Sequence, residues 1–258
     1  MTALAERTEY TMEQTRESTA RTRVWNVLRL QFANRLNMLA VPWLILIFVF
    51  LVNYAIWAII ATASNGTASL EGTEYSGSTF WLFAYLMIAA IQAITLTFPF
   101  ALGMSVTRRD YYLGTALAFA LQSVAFTAAY VILSYIEDWT NGWGLGGHMF
   151  TAIYFGQGPI WQRIFTVLST FLISFAVGLF SATVFVRWKA NGLMVAGASF
   201  TTLLIAAGAL ITLTHNWMSV WAWFGSMTST GVVAWLLAPA AALVVAGFYI
   251  LRRATPRN

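Results

Sequence analysis

Residues 164–213 read IFTVLSTFLISFAVGLFSATVFVRWKANGLMVAGASFTTLLIAAGALITL. Two runs free of Asp, Glu, Lys, Arg and His, 164–186 and 190–213, are separated only by Arg187-Trp188-Lys189. A bilayer core about 30 Å thick needs roughly 20 apolar residues in a helix. Each run is long enough, and Arg187 to Gly192 between them reads as a tight turn at the headgroups. Four more runs of the same kind occupy 36–62, 79–104, 111–136 and 230–251. The expected fold is all-α integral membrane, with six transmembrane helices in a single domain over 21–258. A polar tail, 1–20, precedes it.

The rest of the chain sets orientation and removes whole classes of function. Of 258 residues, 59% are hydrophobic and 9% charged, which leaves little chain for a second, soluble domain. Cysteine is absent, so neither disulfides nor thiolate chemistry are available. The first 20 residues are polar and hold four glutamates, which does not fit a cleavable signal peptide. With six crossings, 13 of the 14 Lys and Arg fall on one face, in the N-terminal region, after the second and fourth spans and after the sixth. Only Arg163 falls on the other. The positive-inside rule then places both termini in the cytoplasm. A net charge of +5 distributed this way reports topology and anionic lipid, and requires no nucleic-acid partner.

Two shorter segments have their own pattern. Residues 21–37 place Val24, Trp25, Leu28, Phe32 and Leu36 on one side of a helix and Asn26, Arg29 and Asn37 on the other. This is an amphipathic interfacial helix with Trp25 as its anchor. It leads the chain into the membrane, and the same surface could meet a cytoplasmic partner. Residues 214–229 are too short to span yet carry Trp217, Trp221, Trp223 and Phe224. A re-entrant external segment before the last helix fits, as does an aromatic belt at the ends of the neighbouring spans.

Chemistry is sparse. A phosphate-binding loop needs G-x-x-x-x-G-K-[ST], and the single lysine, Lys189, is preceded by Trp188 and followed by Ala190. His148 and His215 lie in external loops with Glu71, Glu74, Glu137 and Asp138, which read as solvated loop residues and not as a zinc site. No span supplies a base to activate a nucleophile, so no catalytic residue is expected. No span supplies a carboxylate for a proton or sodium relay either. Asn53, Gln92 and Gln122 are the intramembrane amides. They could line a translocation path or only hydrogen-bond between helices.

The segment Leu102 to Thr115 carries Gly103, Thr107, Arg108, Arg109, Tyr111, Tyr112 and Gly114, with Thr107-x-x-Asp110 as a capping box ahead of the third span. It resembles the G-x-[ST]-R-R-x-[FY]-[FY]-x-G turn between the second and third spans of ATP-binding-cassette exporter permeases of the second type. It departs from that pattern in the Met104-Ser105-Val106 spacing after the glycine. The resemblance covers about 21–251. It implies a multi-pass permease subunit in a bacterial cell membrane, paired with a second copy or a sister permease. A separate ATPase subunit would hold ATP and magnesium, with no cofactor in this chain. Thr107, Arg108, Arg109, Asp110, Tyr111 and Tyr112 would then couple to the ATPase. Arg29, Arg35, Arg187 and Lys189 would be secondary contacts, and a hydrophobic or amphiphilic compound would be moved outward. A secondary carrier or channel acting alone, and a non-transporting scaffold or signalling subunit, are the alternatives.

Overall fold

The computed structural model describes residues 21–32, 38, 40–65, 70–75, 77–104, 106–155 and 158–253. The tail 1–20, Arg35 and the other expected helix positions 33–37 lie outside the described residues. Helix α1 covers 21–31. It is followed by α2 (Val41–Ala63), α3 (Phe80–Gly103), α4 (Arg108–Trp139), α5 (Ile160–Leu213), α6 (Trp217–Ser226) and α7 (Ser229–Arg252). No strand occurs among the described residues.

Five of these helices, α2, α3, α4, α5 and α7, are long and apolar enough to cross a membrane. The 23 residues of α2 extend about 35 Å at 1.5 Å per residue. α5 has 54 residues, and a single residue breaks it: Lys189 sits at φ 57°, ψ −151°, with helix on both sides. The expected turn at 187–192 is therefore narrower than the sequence implies, because helical hydrogen bonding resumes at once. The halves are 160–188 and 190–213.

The bundle is centred on α4 and the first half of α5. The buried positions of α4 include Tyr111, Thr115, Ala118, Gln122, Phe126, Tyr130, Ser134 and Glu137. Steps of three and four residues put them on one stripe. α4 packs antiparallel to α5: Phe119 stacks on Phe175 at 4.7 Å, Phe126 meets Phe171 at 6.1 Å, and Ser134 meets Arg163. α3 joins through Phe83 against Phe171 at 4.7 Å. α7 runs alongside the first half of α5, with Thr166 near Thr230 at one end and Phe180 and Thr183 near Gly247 at the other.

The second half of α5 and all of α6 are different. Met194, Val195, Phe200, Leu203 and Leu213 are exposed, and no residue of α6 is buried. Apolar residues on every side suit lipid as the surrounding solvent. α6 holds 10 residues, about 15 Å, too short to cross a bilayer. Trp223 packs against Phe224 (4.9 Å) and against Trp235 of α7 (5.8 Å), and the Trp217 indole donates to Thr212. Trp221 is exposed.

α1 buries a face that overlaps the expected one only in part: Leu28 is buried and Val24 and Phe32 half-buried as expected, but Trp25 is not. Val27, Leu28 and Gln31 are buried, whereas Trp25 is 54% exposed. The stripe predicted from hydropathy misses Gln31 because that residue is polar, and its amide is bonded within the bundle.

Candidate functional site

The turn between α3 and α4 occupies one end of the bundle. Thr107 is extended (φ −71°, ψ 149°), and its hydroxyl accepts the Asp110 N–H at 3.1 Å, the first half of the expected capping box. A capped end and an acidic group in the first turn both favour starting a helix here. The Asp110 carboxylate turns to α1. Its Oδ2 lies 2.9 Å from Nε of Arg23, an ion pair held by charge more than by an aligned hydrogen bond.

Four further sets of contacts fasten the turn. Tyr111 is fully buried against Phe98 of α3, and its hydroxyl is hydrogen-bonded to that of Thr97 at 2.7 Å. Gln31 of α1 donates to Thr115 at 2.9 Å and reaches the Tyr111 hydroxyl at 3.4 Å. Tyr112 donates to the Val244 carbonyl of α7 at 2.5 Å, with its ring edge-on to Phe248. The Arg108 guanidinium donates to the Arg252 carbonyl at 3.3 Å, a cation at the C-terminal end of α7 where the helix dipole is negative.

These contacts engage part of the expected docking surface within the chain. Asp110, Tyr111 and Tyr112 face inward and are occupied within the chain. Arg109 and Thr107 are exposed, and Arg108 is partly so. A helix that begins at Arg108 must turn half its first residues toward its neighbours, and the motif alone does not say which half. Among the secondary contacts, Arg29 and Lys189 are exposed, and Arg187 stacks on the ring of Trp188 at 4.5 Å.

Arg23, Val27 and Gln31 went unrecognised, although Gly114 signalled their partner. A Cβ at Gly114 would lie 2.6 Å from Val27 Cβ and 2.8 Å from the Val24 carbonyl oxygen. α1 thus rests directly on the α4 backbone, the use that small residues serve between membrane helices.

The three amides have different surroundings. Gln122 is buried and donates to the Met38 carbonyl at 2.7 Å. Asn53 donates back to Val49 of its own helix at 2.8 Å. Gln92 is exposed. Interhelical or local bonding is what two of the three do.

At the opposite end, two of the acids read as solvated are engaged. α4 continues past the expected end of the third span, so Glu137 sits in its last turn and is 1% exposed. Asp138 pairs with Arg163 at 2.6 Å. Arg163 is itself buried, bonded to Ser134 and to the Gly158 carbonyl, and lies over the Tyr135 ring. His148 contacts the Thr151 hydroxyl at 2.8 Å, and His215 has a positive φ in the bend before α6. Among the described residues, no three His, Asp or Glu side chains converge as a metal site would need.

No protein-family model, characterised protein or solved structure matches the chain.

Proposed function

We propose that this chain is the membrane-spanning permease subunit of an ATP-driven exporter of the ATP-binding-cassette type. A separate ATPase would dock at the turn between α3 and α4. The observation that carries the reading is the wiring of that turn: Asp110 ties it to α1, Tyr111 to α3, and Arg108 and Tyr112 to α7. Thr107 and Arg109 stay on the surface. Force applied to those exposed residues reaches three other helices through direct contacts.

The mechanism is a population shift. Closure of two ATPases on nucleotide favours one packing of a permease pair. Transport follows from the different affinity of the two packings for substrate. The chain itself performs no catalysis, and ATP and magnesium belong to the partner. Both halves of α5 cross the bilayer in this reading, for six crossings with the termini in the cytoplasm of a bacterial cell. α6 lies re-entrant or in the interface. Spans without charged groups suit a lipid-like, drug-like or peptide compound better than a small ion.

The test is Arg109→Glu in full-length protein purified with its ATPase. Arg109 is exposed, so insertion and thermal stability should be unchanged. Substrate-stimulated ATPase activity and transport should fall on the order of tenfold, as loss of a charged docking contact worth over 1 kcal/mol predicts. Unchanged transport would remove the turn as the docking site.

A further inference from the structure

The loop after α4 is packed into the bundle at the end remote from the arginine turn. Met149 and Ala152 are fully buried, Phe150 is 2% exposed and Phe155 5%. Phe150 meets Tyr130 of α4 at 5.4 Å, and Phe155 meets Phe83 of α3 at 5.0 Å. Phe83 passes the contact to Phe171 of α5. Gly147 lies against the Trp57 indole of α2 so closely that a Cβ would fall 2.3 Å from the ring. The Met149 carbonyl accepts from the Thr79 hydroxyl at 2.7 Å, and the His148 N–H donates to Thr73 at 2.9 Å.

One side chain organises this segment. The Glu137 carboxylate accepts from the backbone N–H groups of Met149, Phe150 and Thr151, from the Thr151 hydroxyl at 2.6 Å and from the Trp143 indole at 2.8 Å. An ionised carboxylate only accepts, and every neighbour here donates. Bonds to a charged acceptor are about twice as strong as neutral ones. Without Glu137, three consecutive buried N–H groups would lack a partner, which disfavours the seated segment.

We propose that residues 142–155 are a plug over this end of the bundle and that Glu137 is its latch. Releasing the latch lets the segment lift and admits water to the space beneath it. That interior holds Thr127, one turn below Tyr130, and its hydroxyl is buried without a hydrogen-bond partner. That orphan group would be wetted first. If the chain is a transporter as read above, the plug is the gate at this end. That clause rests on the transport reading, and the latch does not.

The native chain contains no cysteine, so single reporters are clean. Ala152→Cys reports on the plug and Thr127→Cys on the space below it. Trp139→Cys, 87% exposed, is the control. Each is placed in the full chain in lipid nanodiscs without ATPase and treated with a charged methanethiosulfonate. Both reporters should label far more slowly than Trp139→Cys. Adding Glu137→Ala should speed both by at least about tenfold, which corresponds to a drop of about 1.4 kcal/mol in the opening free energy. Glu137→Gln and Thr151→Val should give smaller increases, and they decide the matter if Glu137→Ala does not accumulate. Rapid labelling of Ala152→Cys in the parent would show that the segment is not seated. Continued protection in all three Glu137 and Thr151 variants would show that Glu137 is not the latch. Either failure leaves ATPase coupling untouched, and a failure of coupling leaves the labelling result standing.

Discussion

Gly114 has no room for one more carbon. Its missing Cβ would overlap Val27 Cβ at 2.6 Å, and both belong to packed helices that cannot give way by rotating a flexible tip. Gly114→Ala should therefore lower stability by about 1–3 kcal/mol, the usual cost of overpacking, although alanine is the better helix former. Val27→Gly on its own removes that Cβ, at the cost of a poorer helix former. Added to Gly114→Ala it should restore part of the loss, because the 2.6 Å contact is gone while the Val24 carbonyl oxygen at 2.8 Å remains. Thermal unfolding of the four proteins in one detergent measures the coupling. Additive losses would mean that α1 does not rest on α4 at this point. The same contact explains why the buried face of α1 was only half legible. Val24 and Leu28 follow from hydropathy. Val27 and Gln31 follow only from knowing that a glycine and two hydroxyls wait across the interface.

At the scale of an element, α5 poses the sharper question. Its apolar residues continue on either side of Lys189, which alone adopts φ 57° and ψ −151°, a region essentially reserved for glycine. A lysine held there stores about 1–3 kcal/mol. Lys189→Gly should release part of that strain and raise the unfolding midpoint. Lys189→Ala should not, because any Cβ meets the same obstacle. Equal effects from the two substitutions would show that the side chain, not the backbone, sets the stability here. The break was legible as a turn from Arg187-Trp188-Lys189, since two charges cannot remain in a span. Its single-residue sharpness was not legible, for nothing in Ala190 or Asn191 tells whether a helix resumes at once. Glu137 shows the opposite limit. A glutamate before a glycine-rich loop reads as solvated. Only the return of residues 149–151 over the helix end converts it into a buried acceptor. The arginine turn lay between these cases: Thr107 as a cap came directly from the spacing to Asp110, while the inward aim of Tyr111 and Tyr112 depended on neighbours distant in sequence.

For the whole molecule, the number of crossings decides which residues share a side, and length makes the argument. A single straight pass by the 54 residues of α5 would extend about 80 Å, against a hydrocarbon core of about 30 Å. More than 20 apolar residues would then stand in water. Two passes broken at Lys189 leave none, and they place the charges of Arg187 and Lys189 at a surface. The alternatives make opposite assignments for the last third of the chain. With two passes, cysteines at Arg109, Lys189 and Arg253 should react from one face, and those at Trp139 and His215 from the other. With one pass, His215 would join the face of Arg109 and Arg253 would move to the opposite face. Membrane-impermeant labelling of single cysteines in sealed vesicles separates the two, with Arg109 and Trp139 as fixed references. The positive-inside rule adds the sign: Arg109, Lys189 and Arg253 should react only when the cytoplasmic face is open to the reagent. The exposed arginine turn would then share a face with the break in α5, leaving the latched loop on the other.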